Sequence, residues 1–330
     1  MKTITLGADG PQVSQFGIGA MSFAGIYGDA TFEQSHAVLD ACRAAGATHI
    51  DTSNVYGMGR SEEIIGEWFK KRPGARADMV LATKAGIARG NERPRNNDPD
   101  YLEACLDESL ARLGTDYVDL FYIHRYDAAH SPEDVAGTLK RLIDAGKTRA
   151  VGFSEIAPST LRRAWSECPV AAVQSEYSLS TRAPELGLTQ ACAELGTTLV
   201  AFSPVGRSFL TDAPFSHQRA QSHAFLANNP RFMEPNYSAN IAATDRFRAL
   251  AADMGLPAAA LAIAWVMSRG DHVLPIPGTK NTSHLAELLR GTDVTLSADD
   301  LDRIDAALPV GWAHGDRYSD VQWQGPERFS

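Results

Sequence analysis

The stretch AAGATHIDTSNVYG, residues 44–57, contains the helix end, the strand and the polar strand terminus that are typical of a parallel α/β barrel. Gly46 follows a helical pattern, and a glycine just past a helix adopts the left-handed conformation that ends it without a steric penalty. The apolar strand pattern that follows ends at Asp51, and Tyr56 lies a few residues further on, in a glycine-flanked turn. Because polar strand ends assemble the active site of a parallel barrel, this stretch predicts a fold and a candidate site together.

The same succession of helix, glycine and apolar strand recurs along the chain. Gly114, Gly146 and Gly196 each end a helical pattern and each precede an apolar strand pattern. Thr31 and Gln34 have the spacing of a capping box at a helix start. We expect strands at 47–52, 79–84, 116–124, 149–154, 171–177, 197–203 and 272–277, and a short one near 292–296. Strands that alternate with helices form a parallel sheet covered by helices.

Eight strands favour a closed (β/α)8 TIM barrel over an open doubly wound sheet. No break in composition divides the chain, so we expect residues 1–330 to form a single domain. The first 20 residues are interpreted as a β-hairpin that plugs the barrel floor. The long irregular stretches 85–97 and 205–240 follow strands, which places them as loops on the catalytic face, and the tail 309–330 could fold over that face.

Composition excludes several classes of function. The net charge of −9 gives no indication of a nucleic-acid partner. The chain shows neither the apolar run of a signal peptide nor a run long enough for a membrane span, so we expect a cytoplasmic protein without a membrane partner. Its four cysteines lack metal-ligand spacing, so we expect reduced thiols and no metal site.

Polar residues end three further apolar strand patterns: Lys84, His124 and Ser154. Tyrosine can donate a proton to a carbonyl oxygen, but its ordinary pKa of about 10 makes it a slow acid near neutrality. We expect a neighbouring Lys84 to lower the pKa of Tyr56, and Asp51 to keep Lys84 charged and oriented. A nearby His124 can orient the carbonyl oxygen. These four residues predict proton donation during carbonyl reduction.

Each of these residues also has a structural interpretation. Asp51 could be a solvated strand-end carboxylate, Lys84 a surface lysine and His124 a core histidine, while Tyr56 could simply pack in its turn. Their joint occurrence at the ends of successive strands favours a shared site. Gly17-x-Gly19 is not a dinucleotide fingerprint, because the third glycine is missing and no βαβ unit surrounds it.

With these four strand-end residues, the sequence resembles the aldo-keto reductase family. The resemblance covers almost the whole chain, from Phe16-Gly-Ile-Gly-Ala-Met21 to Gly315-Asp-Arg-Tyr318. The bacterial branch with His-Arg after strand three is the most similar, on the evidence of His124-Arg125, Gln174-Ser-Glu-Tyr-Ser-Leu179 and Pro230-Arg-Phe232. The resemblance implies reversible reduction of an aldehyde or ketone with a nicotinamide cofactor. It assigns Tyr56 as proton donor, Lys84 and Asp51 as the pair that tunes it, and His124 as the orienting residue.

The resemblance also implies a cofactor that extends across the barrel mouth. Ser154 and Gln174 would hold the carboxamide, Phe202 would stack on the nicotinamide, and the segment 203–207 would wrap the pyrophosphate. The complete implied set is Gly19, Ala20, Met21, Asp51, Ser154, Gln174, Phe202, Ser203, Pro204, Val205, Gly206, Arg207, Pro277, Gly278, Thr279, Lys280, His284, Glu287 and Leu288. Lys280 offers a charge for a 2′-phosphate, so NADPH is favoured and NADH is possible.

Three positions depart from the family pattern. Glu155 stands where other branches carry Asn, so the carboxamide could lose a contact. Leu288 replaces the amide that pairs with Glu287 to hold adenine, and His284 stands where Arg is frequent. These changes weaken the expected clamp on the adenosine phosphate.

One other function remains open from the sequence. A barrel of this kind could bind the cofactor as a redox sensor or accessory subunit with little turnover. A short-chain dehydrogenase would need Tyr-x-x-x-Lys, which does not occur, and a metal-dependent hydrolase would need a His/carboxylate cluster at the strand ends.

The partner is expected to be a small carbonyl or alcohol, and the protein a monomer or homo-oligomer. Trp312, Trp323 and Phe329 in the tail could line the substrate pocket or cap the barrel.

Overall fold

Eight parallel strands form one nearly closed sheet in the computed structural model, which describes residues 1–88, 94–328 and 330. The ten strands of the described chain are β1 Thr3–Thr5, β2 Gln12–Ser14, β3 Gly17–Gly19, β4 His49–Asp51, β5 Val80–Ala85, β6 Val118–Ile123, β7 Thr148–Ser154, β8 Ala172–Glu176, β9 Thr198–Phe202 and β10 Val273–Ile276. The sheet runs in sequence order from β3 to β10, and each neighbouring pair is parallel. The backbone N–H of Gly19 donates to the carbonyl of Pro277 at 2.9 Å, which brings the two end strands together. The predicted (β/α)8 barrel is confirmed.

The hairpin of β1 and β2 lies at the barrel floor, as the sequence predicted. The two strands are antiparallel, with Ile4 opposite Val13. Both side chains pack in one apolar cluster with residues of the barrel interior, among them Leu120 and Val200. The N–H of Gly7 also donates to Thr198 Oγ1 at 2.9 Å. The hairpin therefore closes the end of the barrel opposite the polar strand ends.

The prediction of a strand near 292–296 was wrong. Residues Gly291–Asp293 form a short 3-10 helix, and the next regular element is a helix. The eighth strand of the barrel is instead β3, which the sequence pattern had assigned to the hairpin segment. This strand has two glycines in three residues, so it carries almost no alternation of apolar and polar side chains.

Helices surround the sheet and connect its strands. The described chain contains α1 Phe32–Ala44, α2 Arg60–Lys71, α3 Ala75–Asp78, α4 Pro99–Leu113, α5 Pro132–Asp144, α6 Pro158–Glu167, α7 Leu188–Leu195, α8 His217–Gln221, α9 Ala224–Ala227, α10 Asn236–Asp253, α11 Ala258–Met267, α12 Thr282–Arg290 and α13 Ala298–Ala307. The capping box at the start of α1 is confirmed. The Thr31 hydroxyl accepts a hydrogen bond from the backbone N–H of Gln34, and the Gln34 side chain accepts one from the backbone N–H of Thr31.

The main apolar core lies between the outside of the sheet and the helices. Large aromatic side chains such as Trp68, Phe121 and Trp265 are completely buried there. All four cysteines are free and buried. In the part of the chain that the structure describes, no single helix is both long and apolar enough to cross a membrane, and α10 with α11 would meet that length and composition only as a pair bent by 89°.

Candidate active site

An ion pair between Asp51 and Lys84 forms the base of the candidate site. Asp51 pairs with Ala82 in the register of β4 and β5, so Lys84, two residues further on, projects from the same face of the sheet. The Lys84 ammonium donates to Asp51 Oδ1 and, at 2.8 Å, to the carbonyl oxygen of Thr52. Gln174 Nε2 donates to the other carboxylate oxygen at 2.7 Å. The Lys84 side chain has no exposed surface, so its charge is fixed inside the barrel mouth.

Tyr56 and His124 lie above this ion pair. Their rings meet edge to face with a centroid separation of 5.7 Å, and Lys84 Nζ lies 5.1 Å from the centroid of the Tyr56 ring. The Ser53 hydroxyl lies 3.0 Å from His124 Nδ1, which orients the imidazole. The structure thus brings all four predicted catalytic residues together. Ser53 was not predicted, although it lies in the stretch that connects Asp51 to Tyr56.

The pKa of Tyr56 is shifted in the opposite direction from the one we expected. Burial raises it above its ordinary value, and the nearby positive charge of Lys84 offsets that effect only in part. Asp51 raises the pKa further, because it lies close enough to oppose a phenolate. Tyr56 is therefore a protonated phenol at neutral pH, which is the form that a proton donor requires.

Ser154 and Glu155 lie at the end of β7, and the side chain of each contacts an arginine. Ser154 Oγ accepts from Arg125 Nη1 at 3.2 Å. The Glu155 carboxylate forms a buried ion pair with Arg317 of the tail, at 2.6 Å, and accepts from the N–H of Glu176 at 2.9 Å. Although burial alone would raise the pKa of Glu155, Arg317 and Arg125 keep it below its ordinary value. Glu155 thus remains ionised beside the proposed carboxamide position.

A second buried ion pair, between Glu176 and Arg207, lies next to the pair of Glu155 and Arg317. Glu176, at the end of β8, accepts from Arg207 Nη2 at 2.6 Å, and Arg231 approaches the same carboxylate at 3.7 Å. Burial lowers the pKa of Arg231 to about 10, because Glu176 compensates for it only partly. Arg207, which the resemblance assigned to the pyrophosphate, also donates to the carbonyl of Arg317. Its guanidinium is therefore committed to the protein.

The loop after β9 has an unusual backbone. Four of its residues have positive φ: Ser203 at 51°, Gly206 at 58°, Arg207 at 52° and Ser208 at 90°. Residues other than glycine rarely adopt such angles, and strained backbone of this kind is concentrated at ligand-binding sites. Phe202 and Ser203 are half-buried at the barrel mouth, whereas Pro204 is buried and Val205 half-buried against the core.

The loop after β10 lies beside β3. A Cβ on Gly278 would come within 2.9 Å of the Gly19 carbonyl, so the two segments approach closely. Lys280 Nζ donates to the carbonyl oxygens of Gly28 and Asp29, at 2.8 and 2.5 Å. The other residues predicted here differ in exposure: Ala20, Pro277 and Thr279 are buried, Met21 and Glu287 half-buried and His284 exposed, and Leu288 packs in the main core.

The tail folds over the carboxyl ends of the strands, and sequence analysis left its residues unassigned. Trp312 caps the barrel, since it is buried in the main core and donates to the carbonyl of Leu179 at 2.8 Å. Trp323 instead packs against Tyr318 and the guanidinium of Arg317. Phe329 and residues 89–93 of the first long loop lie outside the described residues. Among the described side chains, no group of three or more His, Cys, Asp or Glu is placed to hold a metal ion.

Comparison with known proteins gives the same family. The family model described as "Aldo/keto reductase family" matches residues 15–309. An aldo-keto reductase from Schizosaccharomyces pombe, yakc, whose name specifies NADP(+), is 38% identical over 93% of this chain and 92% of its own. A probable aldo-keto reductase 1 from Glycine max is 36% identical and covers 100% of this chain and 94% of its own.

Solved structures agree with these relatives. The glycerol dehydrogenase AKR11B4 from Gluconobacter oxydans superimposes with a TM-score of 0.80 at 26% identity, over 93% of this chain and 94% of that one. A thermostable aldo-keto reductase, Tm1743, solved with the inhibitor epalrestat, gives a TM-score of 0.72 at 26% identity, over 93% and 100% of the two chains. The chain belongs to the aldo/keto reductase family.

Proposed function

We propose that this protein reversibly reduces an aldehyde or ketone to the alcohol, with NADPH as the preferred hydride donor and Tyr56 as the proton donor. Its family consists of oxidoreductases that act on small carbonyl compounds, and residues 1–330 would work as one domain. The observation that carries the proposal is the buried Lys84 ammonium below the Tyr56 ring, paired with Asp51 and next to His124.

The four residues can act together on a carbonyl oxygen. When bound, the reduced nicotinamide supplies the hydride. Tyr56, kept protonated by burial, would donate its proton to the oxygen as negative charge develops there. Lys84 would stabilise the phenolate that remains, and Asp51 would keep Lys84 in place. His124, oriented by Ser53, would position the substrate oxygen.

The described residues fit a nicotinamide cofactor. The segment 203–208, with its positive φ angles, would wrap the pyrophosphate, since turns of this kind form anion-binding concavities. Phe202, half-buried opposite Glu176 on the neighbouring strand, would stack on the nicotinamide, and Ser154 and Gln174, which are opposite each other, would hold the carboxamide. Lys280 would contact a 2′-phosphate after giving up its bonds to the loop at Gly28. The NADP(+) in the name of the S. pombe relative also favours NADPH, with NADH as the weaker donor.

Substitution Tyr56→Phe tests this function. We expect it to lower kcat for reduction of simple aldehydes by at least about 100-fold, because general acid catalysis contributes roughly that much or more. NADPH affinity, measured by fluorescence titration, should change little. The matched control is Tyr126→Phe, which removes a hydroxyl that donates to the carbonyl of His130 rather than to the candidate site. Wild-type turnover by Tyr56→Phe would contradict the proposal.

The same assay addresses the redox-sensor alternative. A sensor would bind NADPH tightly and turn over no aldehyde, ketone or alcohol in either direction. Wild-type turnover with any carbonyl substrate excludes a purely sensory role, and NADPH and NADH compared in parallel measure the preference for the 2′-phosphate.

A further inference from the structure

We propose that Arg125 forms an anion subsite beside the catalytic residues and that the natural substrate is a carbonyl compound carrying a carboxylate. The inference rests on the proposed reductase function and specifies its substrate class. In the sequence, Arg125 served only to identify the His-Arg branch of the family. In the structure it is a partly exposed arginine that directly follows His124 and lies beside Ser154.

Arg125 has one side of its guanidinium occupied and the other available. Nη1 donates to the carbonyl of His124 at 2.6 Å and to Ser154 Oγ at 3.2 Å. Within the described part of the chain, Nε and Nη2 have no hydrogen-bond partner, and neither belongs to the buried polar atoms that lack one. No described carboxylate lies within 4.0 Å of this guanidinium. The Nε–Nη2 edge is the planar fork that binds a carboxylate through two parallel hydrogen bonds.

The buried carboxylates near Arg125 form no ion pair with it, although its charge helps to keep Glu155 ionised. The two buried glutamates of the barrel mouth, Glu155 and Glu176, are each engaged by another arginine. Arg125, Arg207, Arg231 and Arg317 therefore exceed these glutamates by two positive charges, although the whole chain carries −9. The negative charge of the exposed Asp316 raises the pKa of Arg231 and offsets part of this excess of positive charge. An anionic ligand would be attracted to this region and would lower its electrostatic energy.

The position of Arg125 assigns this anion to the substrate. The loop proposed to hold the cofactor phosphates follows β9, whereas Arg125 follows β6, and β7 and β8 lie between them in the sheet. The positive charge of Arg125 also acts on Tyr56, because it offsets part of the rise in the pKa of that proton donor. A carboxylate at Arg125 would thus belong to the molecule whose carbonyl meets Tyr56 and His124.

The tail keeps the arginine in this orientation. Gly325 packs so closely on Arg125 that a Cβ there would lie 2.9 Å from Arg125 Cδ and 3.3 Å from Nε. A larger residue at position 325 would have to displace the Arg125 side chain. The guanidinium is therefore held in place before a ligand arrives, which reduces the entropy that binding costs.

The test compares substrates that differ in one charge. The three isomers of carboxybenzaldehyde and their methyl esters are assayed with NADPH, and kcat/KM of each acid is divided by that of its ester. We expect the wild-type ratio to exceed 1 by about tenfold or more for at least one isomer, as a charge-assisted pair provides. Arg125→Met should bring that ratio close to 1, and Arg125→Lys should give an intermediate value. Arg328→Met, which removes an exposed tail arginine, should retain the wild-type ratio.

Other results would overturn the inference. A wild-type ratio near 1 for all isomers, with good turnover of the esters, would reject the subsite and leave the reductase function intact. A ratio that Arg125→Met leaves unchanged, together with a raised KM for NADPH with every aldehyde, would assign Arg125 to the cofactor instead.

A binding measurement separates this subsite from the chemistry. If no carbonyl compound turns over, the reductase proposal fails, and calorimetric titration of the NADP(+)-loaded protein with the hydroxymethylbenzoate isomers still reports on Arg125. Binding that Arg125→Met abolishes supports the anion site, whereas absence of binding to the wild type rejects it.

Discussion

At Tyr56, burial and charge act on the phenol in opposite directions, and burial has the larger effect. The raised pKa predicts that kcat for aldehyde reduction stays constant from about pH 6 to about pH 9. Any loss due to Tyr56 should appear only as the pH passes the ordinary tyrosine value of 10.0, because the donor must then be deprotonated. A pH profile of kcat with saturating cofactor measures this. A loss of activity with an apparent pKa near 8 that is absent from the residual rate of Tyr56→Phe would contradict the prediction.

Individual residues could be predicted from the sequence where a strand pattern ended in a polar side chain. Asp51, Lys84 and His124 were found in this way, and the structure brings them together with Tyr56. The sign of the Tyr56 shift could not be predicted, because it depends on how deeply the ring is buried. The partner of Glu155 was equally hidden, since Arg317 lies 162 residues further along the chain.

At the scale of the elements, helix α6 receives its N-terminal cap from the distant tail. Its N-cap residue, Ala157, has no side chain that could cap, and the Glu327 carboxylate accepts instead from Ala157 N at 2.6 Å and from Thr160 Oγ1 at 3.0 Å. The negative charge also complements the positive end of the helix dipole. The N–H of Glu327 donates to the Glu155 carbonyl at 2.8 Å, which fixes the tail at the end of β7.

Substitution Glu327→Ala should therefore destabilise the fold by about 1 kcal/mol, the typical effect of removing a capping side chain. Glu327→Gln, which retains an acceptor oxygen but loses the charge, should cost less. Urea unfolding followed by circular dichroism measures both. Glu167→Ala, at the exposed end of the same helix, is the control and should have little effect. Equal losses from Glu327→Ala and Glu167→Ala would show that the cap contributes nothing.

The elements themselves were predictable wherever a glycine ended a helix and an apolar strand followed. Four of the eight barrel strands were placed in this way and three more by their apolar pattern alone, and the ends of all seven differ from the structure by a residue or two. The exception was β3, whose sequence Gly-Ile-Gly has too few side chains to show a period. The pairing of this strand depends on tertiary contacts with β4 and with the loop after β10, which no local pattern reveals.

At the scale of the whole molecule, buried ion pairs join segments that are far apart in the chain. The ends of β7 and β8 supply Glu155 and Glu176, and Arg207, Arg231 and Arg317 come from the loop after β9, the segment before α10 and the tail. Such pairs compensate for desolvation only while every charge retains its partner. The barrel mouth and the tail should therefore lose stability together when one charge is removed.

A double-mutant cycle on Glu155 and Arg317 tests this coupling. Arg317→Met leaves the Glu155 carboxylate buried without its main partner, and we expect a loss of about 3–5 kcal/mol in the free energy of unfolding. Adding Glu155→Gln removes the isolated charge, so the double variant should recover at least about 1 kcal/mol relative to Arg317→Met alone. Arg163→Met, which breaks an exposed pair with Glu133, is the control and should change stability little. Additive effects of the two substitutions in denaturant unfolding would mean that the tail and the barrel mouth are not coupled through this pair.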